Sequence, residues 1–259
     1  MQPIYQGKLA VWYPGQGDLD AYQALAAQLD VPLLEGVPTQ LMRVNESFFL
    51  TWRESSLKLL DKELLNKGGM LVEIEPRPGE QRSWPAPKDG ALAQAIGRKT
   101  KTVVDATTGW AQDSLHLFRM GYHVTCIERS PVMQALLSDA LLRLQQLDWV
   151  QRLQLQVPQL VCDDAIARLA ALEVTPECIY IDPMFPPKRK KSALAKKSMT
   201  ILHDLLGDDM DKNALFAAAW EAAGKRVVVK SPEYAEPLGA KPSASYAGKL
   251  LRYDVYLKT

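Results

Sequence analysis

The chain has 259 residues, 47% of them hydrophobic and 24% charged, with a formal net charge of +1. A chain this long buries roughly 70–75% of its unfolded surface, so its core needs neither disulfide nor metal. No apolar stretch approaches the roughly 20 residues of a membrane span, and the start lacks the basic-then-apolar pattern of a secretory signal. Cys126, Cys162 and Cys178 show no CxxC pairing. That argues against a disulfide framework or zinc site and suggests reduced core residues in a cytoplasmic protein. His116, His123 and His203 are too scattered to form a metal set or a triad.

In chain order, LAVWYP, a helical ALAAQLD, PLLEG and FFLTWRESSLKLL suggest a small mixed α/β unit. GMLVEIEP adds an alternating strand, and RPGEQRSWPAPKDG is a connection rich in proline and glycine. This places a boundary near residue 80, with an N-terminal α/β subdomain over 1–80 and a larger domain over 81–259. ALAQAIGRK is a helix leading into the latter.

From Lys101 onward, strands and helices alternate. KTVVDAT, YHVTCIE, ECIYID and RVVVKS read as strands, and LQLQVPQLVCDD contains another; DSLHLFRMG, PVMQALLSDALLRLQQL, AIARLAAL and NALFAAAWEAAG read as helices. Pro131 suits the first turn of its helix. The tail KLLRYDVYLKT reads as a final antiparallel strand. Repeated βα units of this kind imply a parallel sheet with helices on both faces.

Two of these strands stop at an aspartate, Asp105 and Asp182. Parallel α/β sheets bind ligands beyond the carboxyl ends of their strands, so both should open onto one crevice. After Asp105 the chain turns through Gly109, where a ligand can approach the backbone, and enters a helix that Asp113 is placed to cap. Glu128 ends the next strand 23 positions after Asp105, where an acidic residue can take both hydroxyls of an adenosine ribose. Asp163 and Asp164 follow the third strand, either at the adenine amino group or as a helix N-cap. Trp110 stands where a dinucleotide site needs small residues near a pyrophosphate, which favours a cofactor without phosphates.

The second strand end reads Asp182-Pro183-Met184-Phe185-Pro186. An exocyclic amine on a base is a weak nucleophile because its lone pair is delocalised into the ring. Asp182 and the Pro183 carbonyl can accept its two N–H bonds and hold the nitrogen in line for attack. Phe185 can stack on the base. The run that follows carries Lys188, Arg189, Lys190, Lys191, Lys196 and Lys197 with no acidic residue, at the mouth of the site, where it suits phosphate contact.

VVDATTGWAQDS, CIERSP, ALLSDAL, IYIDPMFPPKRKKSALAKKSM and RVVVKSPEYAEPL together resemble the bacterial RsmJ family of 16S rRNA guanine-N2 methyltransferases over roughly residues 90–259. The resemblance implies a Rossmann-like seven-stranded methyltransferase sheet and S-adenosyl-L-methionine as cofactor. It also implies methylation of a guanosine in the 3′-terminal hairpin loop of 16S rRNA, as rRNA or within the small subunit, with no metal and no membrane. Cofactor contacts are implied at Gln112, Asp113, Glu128, Arg129, Asp163, Asp164 and Asp182, beside Asp105 and Gly109 of the turn. The chain departs from the family's Ala-Gly-Leu-Gly-Arg-Asp by reading Thr108-Gly109-Trp110-Ala111-Gln112-Asp113. An adenine-N6 or protein-amine methyltransferase, a non-catalytic RNA-binding relative and an NAD-dependent oxidoreductase stand as alternatives, because the residues themselves read an amine and a ribose rather than a named substrate.

Overall fold

The computed structural model describes residues 5, 7–76, 84–183, 185, 211–248 and 250–258. Among them, two sheets form. The first is four-stranded, in the order β2 (Leu33–Glu35), β1 (Leu9–Tyr13), β3 (Phe48–Arg53), β4 (Ser56–Asp61). β1 runs parallel to β2 and β3, while β3 and β4 form an antiparallel hairpin. Helix α1 (Leu19–Leu29) is started by Asp18, whose carboxylate accepts from the Asp20 and Ala21 amides. The short α2 spans Pro38–Leu41.

The second sheet carries seven strands in the order β10 (Ala244–Ala247), β11 (Leu251–Leu257), β9 (Arg226–Pro232), β8 (Cys178–Ile181), β5 (Thr102–Asp105), β6 (His123–Glu128), β7 (Gln159–Cys162). β5 to β9 are mutually parallel, and β11 runs antiparallel to its neighbours as expected of the tail. Side chains alternate between two buried layers. Val103, Cys178, Tyr180 and Val228 face one, with residues of α3 (Gly90–Ile96), α4 (Gln112–Arg119) and α5 (Pro131–Gln145). Val104, Ile179, Ile181, Val227 and Val229 face the other, with residues of α7 (Ala165–Ala170) and α8 (Lys212–Ala222). The period of two makes the central strands hydrophobic on both sides, hence their unbroken apolar runs.

The first apolar layer continues into the four-stranded sheet through Leu9, Val11, Leu50 and Leu59. Polar ties reinforce this. The Tyr5 hydroxyl lies 3.2 Å from the Ser130 Oγ, and the Arg143 guanidinium donates to the Val72 carbonyl at 3.0 Å.

Two sequence expectations need correction. GMLVEIEP forms no strand. Met70 makes an isolated antiparallel bridge with Leu59, after which Val72 and Ile74 turn into the core and the Val72 carbonyl is taken by Arg143 rather than by a strand. Cys162 is exposed, unlike Cys126 and Cys178, because β7 is an edge strand. The segment LQLQVPQLVCDD contains a strand, β7, as expected, whereas α6 (Asp148–Arg152) and β10 were not anticipated.

Arg252 on β11 fixes the connection that leaves β9. Its guanidinium donates to Asp254, whose side chain is 1% exposed, at 2.9 and 3.0 Å, and to the carbonyls of Pro232, Glu233 and Ala235. Arg252→Ala removes the cation from a buried carboxylate that keeps the Ser245 hydroxyl at 2.8 Å, and should cost about 3–5 kcal/mol of unfolding free energy in urea titration. Arg252→Lys should recover only part of it, since an ammonium lacks the fork that spans these acceptors.

Candidate active site

Parallel pairing and strand alternation together assemble the site. Asp105 pairs in register with Tyr180, and Ile181 with Val229, so Asp182 and Lys230 emerge side by side just beyond. Tyr180 faces the α4 layer, as do Val103 and Val228. Two residues further along each strand, Asp182, Asp105 and Lys230 therefore turn toward the same layer. Helix α4 meets them there.

The Lys230 ammonium donates to Asp113 at 2.7 Å and to Asp182 at 2.8 Å. The Tyr180 hydroxyl also donates to Asp113, at 2.6 Å. Tyr253, the cross-strand neighbour of Lys230, completes the wall. Burial raises the Asp113 pKa, but the Lys230 charge and the hydrogen bonds from Lys230 and Tyr180 outweigh it and hold this carboxyl below its ordinary value. Asp182 is pushed up to about 6, by burial first and by the Asp113 charge, against the pull of Lys230. Burial lowers the Lys230 pKa, but the two carboxylates outweigh it and leave the ammonium firmly protonated.

Asp105 sits behind this pair, 2% exposed, accepting from the Thr107 amide at 3.0 Å and from the Ser114 hydroxyl. The Thr107 hydroxyl accepts the Asp182 amide at 2.6 Å, which ties the two strand ends together.

The turn that follows runs through Gly109 at φ 48° and Ala111 at φ 53°. Ala111 occupies the position of the second glycine in the RsmJ-type turn, and an L-residue there carries a left-handed strain of roughly 1–2 kcal/mol. A Cβ placed on Gly109 would touch the Thr107 carbonyl oxygen at 3.9 Å, an ordinary contact, so nothing crowds this side of the backbone. Glu128 supports the turn, accepting from the Gly109 amide at 3.0 Å and from the Ser130 amide at 2.8 Å, one on each oxygen. Each oxygen keeps a further lone pair for a hydroxyl donor. Burial raises the Glu128 pKa, opposed by the two amides.

Other candidates are placed differently. Asp113 does not cap α4. Ala111 holds the N-cap position, and the Asp113 carboxylate turns to Lys230 instead. Asp164 caps α7, accepting from the Ile166 and Ala167 amides, while Asp163 is exposed at the β7 end with its amide on the Glu128 carbonyl. Gln112 is exposed, and Arg129 pairs with Asp211 at 3.4 Å on the surface. Pro183 is buried, and Phe185 is half-buried with the Lys212 ammonium 5.1 Å from its ring centre. Lys188, Arg189, Lys190, Lys191, Lys196 and Lys197 lie outside the described residues. Among the described residues, no His/Cys/Asp/Glu group is arranged to hold a metal, and no helix is long and apolar enough to cross a membrane.

Sequence reasoning missed Lys230 as a site residue. Its signal was the same one that exposed Asp105 and Asp182, a buried run (here Val227-Val228-Val229) ending in a charge at the carboxyl end of a parallel strand.

The arrangement gives a testable pH dependence. Burial pushes Asp105 up to about 7. A carboxyl whose folded pKa exceeds its unfolded value stabilises the fold fully below about pH 4, and that contribution is lost as pH rises through about 7. Asp105→Asn removes this loss. In urea titrations its stability relative to the wild type should improve by roughly 2–4 kcal/mol between pH 4 and pH 8. A constant difference across that range would contradict a strained, buried carboxylate.

Comparison with known proteins agrees with this geometry. A family model described as "Putative SAM-dependent methyltransferase" matches residues 37–258. The chain is 39% identical over 223 residues to ribosomal RNA small subunit methyltransferase J of Tolumonas auensis, spanning 84% of this chain and 89% of that protein. It is 35% identical over 254 residues to the Coxiella burnetii protein of the same name, spanning 96% of each. A crystal structure of a SAM-dependent methyltransferase from Neisseria gonorrhoeae covers 96% of both chains at 26% identity, with a TM-score of 0.67. Fold and family therefore stand as the sequence implied: the chain belongs to the SAM-dependent methyltransferases, among the ribosomal RNA small subunit methyltransferase J proteins.

Proposed function

We propose that this enzyme methylates the exocyclic N2 amine of a guanosine in the 3′-terminal hairpin loop of 16S rRNA, as rRNA or within the small subunit, in the cytoplasm. The observation that carries the reading is the Asp182 carboxylate at an open strand end, held between the Lys230 ammonium and the buried Pro183. The names of the relatives support an rRNA substrate.

S-adenosyl-L-methionine, when bound, supplies a methyl group on a sulfonium leaving group. The residues present fit it. Glu128 offers acceptors to the ribose hydroxyls, the uncrowded side of Gly109 admits the nucleoside, and Asp163, exposed at the next strand end with one oxygen accepting from the Asp164 amide at 2.8 Å, keeps its other oxygen for the adenine amine. Gln112, Asp113 and Arg129 flank this cradle, and Asp164 acts through the α7 cap that positions Asp163. Asp105 shapes the turn from behind.

Asp182 and the Pro183 carbonyl accept the two amine N–H bonds, which fixes the nitrogen lone pair in line for attack. As the nitrogen gains its methyl group it must shed a proton, and Asp182 takes it. Lys230 keeps Asp182 ionised near neutral pH and fixes one of its oxygens. Phe185 stacks on the base, and Lys188, Arg189, Lys190, Lys191, Lys196 and Lys197 bind RNA phosphates. Residues 81–259 then carry the transfer, with residues 1–80 as a separate subdomain beside them.

Glu128→Ala should weaken S-adenosylmethionine binding by about 1.5–3 kcal/mol in calorimetric titration, with RNA affinity unchanged. Equal cofactor affinity in the folded variant would remove Glu128 from the cradle.

Asp182→Ala should slow single-turnover methyl transfer at saturating cofactor by on the order of a hundredfold or more. An ionised acceptor is required, so the wild-type rate should rise with pH through about 6 and then level off. Lys230 lowers the Asp182 pKa, so Lys230→Met should shift that rise to higher pH. A midpoint that stays in place would exclude the Lys230 role.

A further inference from the structure

A second cleft, of about 700 Å³, lies on the four-stranded sheet and shares no lining residue with the strand-end site. It opens beyond the carboxyl ends of β1 and β3, where α/β sheets place ligands. Tyr22 and Trp52 form its aromatic wall, and Arg53, Lys58 and Lys67 line it beside two carboxylates, Asp18, engaged in the α1 cap, and Glu54, engaged with Lys58.

The cleft is built rather than incidental. Tyr22 is held edge-on to Trp52, with ring centres 4.8 Å apart, and its hydroxyl contacts Thr51 Oγ1, the Trp52 carbonyl and the Trp52 amide. Trp52 is half-buried and lines the cleft. Arg53 lies over the Trp12 ring and donates to the Lys67 carbonyl at 3.3 Å, which ties the two residues together at the cleft. Lys58 is held by Glu54 at 2.6 Å. Glu54 and Ser55 form the hairpin turn with φ values of 52° and 58°. Such a turn favours Asn-Gly, so the chain keeps a strained pair at the rim, as functional sites often do.

We propose that this cleft docks one unpaired nucleotide of the RNA substrate, its base stacked on Trp52 and its phosphate between Arg53 and Lys67. Stacking on an aromatic beside a row of cations is the chemistry by which single-stranded nucleic acid is held. The inference rests on the rRNA reading above and adds a second RNA contact, on the N-terminal sheet.

The test uses the full chain and a short single-stranded RNA titrated at several salt concentrations, beside S-adenosylmethionine titration of each variant. Trp52→Ala should weaken RNA binding about 5- to 150-fold, and Trp52→Phe should restore most of it. Lys67→Ala, at an exposed position, should flatten the salt dependence by about one counterion. Cofactor affinity should hold in all three, which also reports that they fold. If the wild type binds RNA and methylates while Trp52→Phe, Trp52→Ala and Lys67→Ala bind RNA as it does, the cleft is not a nucleotide site and the function stands. A wild type that binds no RNA overturns both readings.

Discussion

Three carboxylates, Asp105, Asp113 and Asp182, converge at the carboxyl ends of β5 and β8; the Lys230 ammonium makes the closeness of Asp113 and Asp182 tolerable, and burial drives Asp105 toward protonation. Like charges this close in a partly dry site would otherwise neutralise by protonation. Lys230 pairs with two of them, and burial sets the third apart. Asp113 is held ionised between the ammonium and Tyr180, Asp105 is driven toward its neutral form against Ser114, and Asp182 is left between, poised near 6 at the open end. Three residues of one type thus acquire three behaviours from their surroundings. The in-register parallel strands make this possible, because a one-residue slip would turn Asp182 or Lys230 to the opposite face.

Much of this was legible in the amino-acid sequence, and for a physical reason. A central parallel strand is apolar on both faces, so a charged residue that ends such a run marks a strand end and therefore the crevice. Asp105, Glu128 and Asp182 all carry that mark. Lys230 carries it too, but a lysine after three valines gives no hint of its partners until the strand order puts β9 beside β8. Asp113 could be read as a cap because it sits in the first turn of α4. Only the position of Tyr180 and Lys230 across the sheet turns its carboxylate away.

The misreadings have a common source as well. Over residues 70–76, alternation suggested a strand, yet alternation shows only that Val72 and Ile74 are buried. Whether a partner strand is present depends on tertiary contacts, and here Arg143 of α5 takes the carbonyl that a strand would have used. Likewise Cys162 lies in an apolar run but on an edge strand, which sequence alone does not reveal. The same α5 that receives Val72 begins at Ser130, whose amide supports Glu128 and whose hydroxyl meets Tyr5. The N-terminal sheet is thereby coupled to the turn that borders the cofactor cradle.

The central claim is that the Asp182 strand end presents an exocyclic base amine to the methyl group. Mass mapping of small-subunit RNA incubated with the enzyme and isotopically labelled S-adenosylmethionine tests it most directly. The account predicts label on the N2 nitrogen of a single guanosine in the 3′-terminal hairpin loop. Label on a ring carbon, on a ribose hydroxyl or on ribosomal protein would contradict it.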